Sequence, residues 1–166
     1  GNVVQAGVGQ APARQAALGA GIPDTVPCTT VNKVCASGMK AVINAAQAIA
    51  LGDASVVIAG GMESMSNIPH YMHMRKGVKF GPAAMEDGMQ KDGLVDPFDK
   101  NAMGVLADKC ATQHNFSRED QDAFAIESYR RSAKAWSEGK FTNEVIPVAV
   151  PQRRGDALII SEDEEF

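Results

Sequence analysis

The chain is 166 residues long, with 16 Lys+Arg against 20 Asp+Glu and a formal net charge of −4, the size of about one domain. A mildly acidic balance with no basic stripe argues against nucleic acid as a partner, and the sequence is read as holding no apolar run near the roughly 18 residues of a membrane span. Leu, Ile, Val and Phe fill only about 21% of positions, thin material for a self-sufficient core.

Charge is unevenly spread. Residues 1–66 carry six charges (Arg14, Asp24, Lys33, Lys40, Asp53, Glu63) and residues 67–166 carry thirty. The first part is dense in Ala and Gly, the texture of segments covered on several sides. The chain opens on Gly1 rather than Met and ends on Glu162-Asp163-Glu164-Glu165-Phe166, and the expectation is a piece of a larger protein. Three cysteines, an odd number, disfavour a disulfide framework and point to a reducing compartment. A cytoplasmic location is expected, with the mitochondrial matrix as the alternative, because a targeting segment would lie before Gly1. The sequon Asn115-Phe116-Ser117 is read as a chance match.

In chain order, residues 12–20 are Ala-rich with Pro12 at a helix-start position, stopped by Gly19 and Gly21. Residues 27–34, with Thr29, Thr30, Val31 and Val34, read as a strand entering a turn. Ser37-Gly38 opens a helix to about Leu51, with Met39, Val42, Ile43, Ala46 and Ile49 at three- and four-residue steps and Gly52 closing it. Residues 55–59 read as a strand covered on both faces, since their apolar side chains are consecutive. This order implies a mostly parallel sheet flanked by helices. Residues 62–100 lack a clean period and read as a functional or oligomer-contacting excursion. Residues 101–113 and the stretch from Ser117 to Gly139 are predicted helices, the second opened by a capping box with Asp120 at its third position. Residues 145–150 and 157–160 are predicted strands of a hairpin.

Cys35 falls where the strand-like segment meets the helix beginning near Ser37. A thiol at a helix N-terminus sees unpaired N–H groups and the positive end of the dipole, both of which favour the thiolate. Ala36 and Gly38 keep the turn narrow enough for an acyl thioester to approach. On these local features a small packed thiol stands beside the nucleophile as a second reading.

The segment Val31-Asn32-Lys33-Val34-Cys35-Ala36-Ser37-Gly38-Met39-Lys40-Ala41-Val42 resembles the acyl-enzyme cysteine signature of the thiolases. Gly9-Gln10-Ala11-Pro12-Ala13-Arg14-Gln15-Ala16, Gly60-Gly61-Met62-Glu63-Ser64-Met65-Ser66, Lys91-Asp92-Gly93-Leu94, Asp120-Gln121-Asp122-Ala123-Phe124-Ala125 and Asn143-Glu144-Val145-Ile146-Pro147-Val148 are also similar to that family. The nearest texture is its acetoacetyl-CoA thiolase (acetyl-CoA C-acetyltransferase) branch.

The resemblance implies an α/β thiolase fold in α/β/α/β/α layers. Residues 1–64 would be part of the N-terminal core and residues 65–166 most of the loop domain over the active site. It implies Cys35 as the catalytic nucleophile, which takes an acetyl group from acetyl-CoA or receives one when a 3-ketoacyl-CoA is cleaved. It also implies Leu94 and Met103 as substrate-binding residues of the coenzyme A channel, coenzyme A thioesters as substrates with no separate cofactor, and a homodimer or homotetramer with a contact near residues 69–87. Ala102 stands where many biosynthetic thiolases carry a His before the Met-Gly. The family's activating His, in a Gly-His-Pro segment, and its second cysteine match nothing in these 166 residues, so the chain alone is expected not to turn over. A longer-chain 3-ketoacyl-CoA thiolase and a non-catalytic thiolase-like lipid-binding or scaffold protein are the alternatives.

Other candidates carry less. His70-Tyr71-Met72-His73 places two imidazoles three apart with no cysteine or carboxylate beside them to complete a set, so no metal is expected. Gly60-Gly61 lacks the rest of a phosphate loop and is read as a close backbone approach at a strand end. Cys28 and Cys110 are read as packed thiols.

Overall fold

The computed structural model describes residues 1–164; Glu165 and Phe166 of the acidic end lie outside the described residues. The chain forms two compact units, Gly1–Leu106 and another from Ala107 onward.

In the first unit, α1 (Pro12–Gly19) starts after Ala11, which sits at φ 48° and offers no capping side chain. The cap comes from a distant residue: the Thr30 hydroxyl accepts the Ala13 N–H at 3.1 Å. Arg14 donates to the Val26 and Asp24 carbonyls at 2.7 and 2.6 Å, and Gln15 to the Val8 and Gln10 carbonyls at 3.1 and 2.7 Å. The two long polar side chains thus tie the flanking loops to the helix, satisfying backbone acceptors that no strand engages.

The second helix, α2 (Ser37–Leu51), has the predicted bounds, and Gly52 closes it at φ 81°, a conformation cheap only without a Cβ. Gly1–Val4 runs between two other extended stretches. The Gly1 amino group donates to the Gly60 carbonyl at 2.8 Å and the Met62 N–H to the Gly1 carbonyl at 2.9 Å, the pattern of a parallel pair around Gly61. On the other side the Asn2 N–H reaches the Val31 carbonyl at 3.0 Å. The expected parallel sheet goes no further than this. Residues 27–34 and 55–59 form no ladder, and Val56 and Ile58 are 84% and 81% exposed rather than covered. A parallel strand takes its bonds from neighbours and its cover from helices on both faces; residues 27–34 have the one bond at Val31, and residues 55–59 stand without cover.

Gly61 does make the close approach expected of it: a Cβ there would stand 3.1 Å from the Cα of Gly38. Within the first unit, α2 also exposes Met39, Val42, Ile43, Ile49 and Leu51. One expectation needs correcting here. Val34–Leu51 is an 18-residue stretch of mean hydropathy 1.4, apolar enough by composition to cross a membrane. Its helical part, the 15 residues of α2, spans about 22 Å, less than the roughly 30 Å of a hydrocarbon core.

The excursion is built on short elements: a 3₁₀ turn at Met65–Asn67, β1 (His70–Tyr71) paired antiparallel with β2 (Glu86–Asp87), and a π turn at Gln90–Leu94. Then Val95 and Ala102 pair in an isolated antiparallel bridge, with the Asp96 N–H on the Asn101 carbonyl at 2.8 Å. This pairing delays α3 (Met103–Gln113) by two residues from its predicted start.

In the second unit, α4 (Arg118–Ser137) carries the predicted capping box: the Ser117 hydroxyl accepts the Asp120 N–H at 3.0 Å, and Asp120 Oδ2 accepts the Ser117 N–H at 3.3 Å. Aspartate is long enough to close the box. Strands β3 (Val148–Val150) and β4 (Leu158–Ile160) form the expected hairpin, Val148 opposite Ile160. β3 is shorter than predicted because Pro147 and Pro151 flank it without N–H donors.

Midway along α4, hydrogen bonds from Arg130 and then Arg131 hold the Glu127 carboxyl down at about 2, against its ordinary value of 4.5. A carboxyl depressed on folding contributes stability fully present above the ordinary value and lost as pH falls through the depressed one. Helicity of α4 is therefore expected to decline between pH 4.5 and about 2. Glu127→Gln should remove that part of the acid transition, read as the difference between two circular-dichroism titrations. Superimposable titrations would show that the carboxylate adds nothing to the helix.

Candidate active site

The segment 32–37 is a tight turn held from within and without. Inside it, the Ser37 hydroxyl accepts the Lys33 N–H at 2.9 Å and donates to the Val34 carbonyl at 2.5 Å; Ser37 is buried. Asn32 Oδ1 accepts the Val34 N–H at 3.0 Å, an Asx turn. Val34 consequently stands at φ 50°, a left-handed conformation that costs a β-branched residue about 1–2 kcal/mol. Strain of this order is kept only where surrounding bonds over-determine it.

The next residue is Cys35, exposed to solvent, and Ala36 is the N-cap of α2. No side chain caps this helix and its first turn holds no acid; the Ala36 and Ser37 N–H groups turn back onto the Lys33 and Val34 carbonyls at 3.2 and 3.0 Å, and the positive end of the helix dipole lies beside the thiol. The turn presents Cys35 outward at the start of a helix, as its sequence position implied. Cys110 is also exposed and Cys28 half-buried, so neither is the packed thiol expected.

The frame around the turn is the N-terminal segment. Asn32 Nδ2 donates to the Val3 carbonyl at 3.2 Å. Glu63 then receives three donors from the same segment: Val3 N–H on Oε2 at 2.8 Å, and Asn2 Nδ2 and Val4 N–H on Oε1 at 3.0 and 3.2 Å. Asn32, Ser37 and Glu63 were not singled out from sequence. Asn two residues before a turn is an Asx signal for the first; a contact across sixty residues left none for Glu63.

Leu94 and Met103 lie on either side of one backbone bridge. Leu94 ends the π turn and Met103 begins α3, so the two flank the isolated Val95–Ala102 bridge. They are 39% and 40% exposed. Their link to the Cys35 turn passes through the N-terminal segment: Val4 Cγ2 would lie 3.4 Å from a Cβ on Gly93, beside Leu94, while Val3 holds Asn32. Among the described residues no hydrogen bond joins residues 32–40 to residues 90–103 directly.

The hairpin braces the same π turn. The Tyr71 hydroxyl donates to Asp92 Oδ2 at 2.6 Å, which pushes the phenol up to about 12. Lys91 donates to Glu86 and holds its carboxyl below the usual range, with His73 Nε2 3.1 Å from the other oxygen. The fold thus brings a carboxylate to His73 that the local sequence did not show, but among the described residues no three His, Cys, Asp or Glu gather as a metal set.

The family described as "Thiolase, N-terminal domain" matches residues 1–166. Acetyl-CoA acetyltransferase IB of Candida tropicalis is 56% identical over 168 residues, covering 100% of this chain and 42% of that protein. The mitochondrial acetyl-CoA acetyltransferase of Homo sapiens is 52% identical over 166 residues, covering 100% of this chain and 39% of that protein. The cytosolic enzyme of Gibberella zeae is 53% identical over 167 residues, 99% of this chain and 42% of the relative, so the relatives include both compartments. The crystal structure of the Acat5 thiolase from Ascaris suum in complex with coenzyme A superposes with a TM-score of 0.87 at 46% identity, over 99% of this chain and 41% of that one. The chain spans about two fifths of the length of the curated relatives it matches. Matched over its whole length in sequence and in fold, this chain belongs to the thiolase family and has the fold of its N-terminal domain.

Proposed function

We propose that the whole protein is an acyl-CoA acetyltransferase that makes or cleaves acetoacetyl-CoA, or another short 3-ketoacyl-CoA, through an acetyl group carried on Cys35. The observation that carries this reading is the exposed Cys35 thiol at the uncapped start of α2, on a turn held strained by Asn32 and Ser37. The Cys35 thiolate attacks the acetyl carbonyl of acetyl-CoA, and the tetrahedral oxyanion collapses with loss of the coenzyme A thiolate, which takes up a proton. A second acetyl-CoA then gives up an α-proton, which balances the one taken up by the first coenzyme A thiolate, and its α-carbon attacks the acetyl thioester; the Cys35 C–S bond breaks, acetoacetyl-CoA leaves and the thiolate is restored. Thiolysis of a 3-ketoacyl-CoA runs the same steps backwards. The Cys35 N–H, at the positive end of the α2 dipole, would bind the oxyanion, a role worth about 3 kcal/mol for a well-placed donor. A thioester keeps the acyl group activated between the half-reactions.

Leu94 and Met103 would line the channel for coenzyme A, the ligand named in the Ascaris suum structure. Residues 1–64 would form part of the core and residues 65–166 most of the loop domain over it. No Gly-His-Pro segment is present, so the 166 residues alone should not turn over. The uncovered apolar faces of α2 and residues 55–59 fit burial by the rest of the protein in a homodimer or homotetramer. A cytoplasmic location is the working reading, against the mitochondrial matrix, and cell fractionation separates the two.

The test is to incubate the whole protein with acetyl-CoA, quench in acid and map acetyl groups by mass spectrometry. An acetyl group on the Cys35 peptide, absent from Cys35→Ala, is expected. Acetylation elsewhere with Cys35 unmodified would remove the proposal.

A further inference from the structure

We propose that Asn32 and Glu63 are positioning residues for Cys35, acting along one continuous line of hydrogen bonds. The line starts at the Glu63 carboxylate, whose Oε2 accepts the Val3 N–H at 2.8 Å. The Val3 carbonyl, whose peptide also carries the Val4 N–H that donates to Glu63 Oε1 at 3.2 Å, accepts Asn32 Nδ2 at 3.2 Å. The line ends with Asn32 Oδ1 accepting the Val34 N–H at 3.0 Å, one residue before the thiol. Val34 at φ 50° is the place where such a line matters, because a valine keeps a left-handed backbone only under constraint.

Ser37 staples the turn internally, through Lys33 and Val34, but it binds neither the N-terminal segment nor residues 60–63. Asn32 supplies the side-chain bond from the turn to its frame, next to the Asn2 N–H on the Val31 carbonyl, and Glu63 fixes the frame itself. The carboxylate suits that task because it is purely an acceptor and faces three donors, Val3 N–H, Val4 N–H and Asn2 Nδ2. An amide in its place turns one acceptor into a donor and sets it against an N–H.

This inference rests on Cys35 being the acetylated residue, and its test separates the two. In the whole protein, Asn32→Ala and Glu63→Gln are each expected to slow acetylation of Cys35 by about 10- to 100-fold, with KM for acetyl-CoA little changed. Asn32→Ser, whose hydroxyl can still accept the Val34 N–H, should recover part of the loss. The double variant Asn32→Ala/Glu63→Gln should lose little more than the worse single one, because both act through the same line. Alkylation by iodoacetamide, mapped peptide by peptide, provides a readout independent of acyl transfer: Cys35 should slow in the variants while Cys110 keeps its wild-type rate.

Unchanged Cys35 rates in either single variant, fully additive losses, or a parallel rise at Cys110 from general loosening would each overturn the proposal. A wild-type protein that never acetylates Cys35 would instead refute the functional reading, and the iodoacetamide rates alone would then decide the positioning one.

Discussion

Replacing Cys35 with alanine in the whole protein is expected to lower the rate of acetyl transfer by at least about 10⁴-fold, equivalent to about 5.5 kcal/mol of transition-state stabilisation. Without the thiol the acetyl group has no covalent resting place, and two activated thioesters would have to react directly. The loss should fall on kcat. If Leu94 and Met103 contact coenzyme A as proposed, ground-state binding survives and KM for acetyl-CoA stays within a few-fold of wild type. Folding should be little affected, because Cys35 is exposed and the bonds that shape its turn belong to Asn32, Ser37 and the backbone. Circular dichroism of the variant should match wild type, and steady-state kinetics in both directions supply the measurement. A variant retaining a tenth or more of the wild-type rate would take Cys35 out of the chemistry.

What could be read from the sequence was whatever is local. Helix α2 came out with its bounds because Gly52 and the three- and four-residue apolar steps lie within it, and α4 because its Ser117–Asp120 box is four residues long. The strand predicted at 55–59 does not form in this chain, for a physical reason. Consecutive Val56, Val57 and Ile58 announce burial on two faces, but a strand exists only through partners, and these residues stand exposed without any. The same division runs through the site. Cys35 was legible from its position before a helix and from the motif around it. The staples were not: Glu63 meets Val3 across sixty residues, and Thr30 caps α1 from another segment. Leu94 and Met103 were named by resemblance alone; that they flank one bridge, Val95–Ala102, no local pattern showed.

The second large effect is expected at Gly88, between β2 and the π turn that carries Leu94. Gly88 is buried, and its N–H donates to the Pro69 carbonyl at 3.2 Å. A Cβ there would lie 2.6 Å from that same carbonyl oxygen and 2.7 Å from Tyr71 Cε1. Neither neighbour can easily give way. Pro69 directly precedes β1, whose two residues are paired with β2, and the Tyr71 ring is held by its hydroxyl on Asp92. Gly88→Ala should therefore destabilise the hairpin by about 1–3 kcal/mol. Amide exchange at Tyr71 and at position 88 would then accelerate about 5- to 150-fold; unchanged exchange would mean that the backbone does not approach this closely. Opening the hairpin also frees Asp92 and Lys91 from Tyr71 and Glu86, so the π turn that carries Leu94 loses its brace. KM for acetyl-CoA should rise in this variant while iodoacetamide labels Cys35 at the wild-type rate, because the Cys35 turn hangs on Val3 and Glu63 rather than on the hairpin. That is the reverse of the pattern expected for Cys35→Ala, and the two variants together divide the binding of the thioester from the chemistry performed on it.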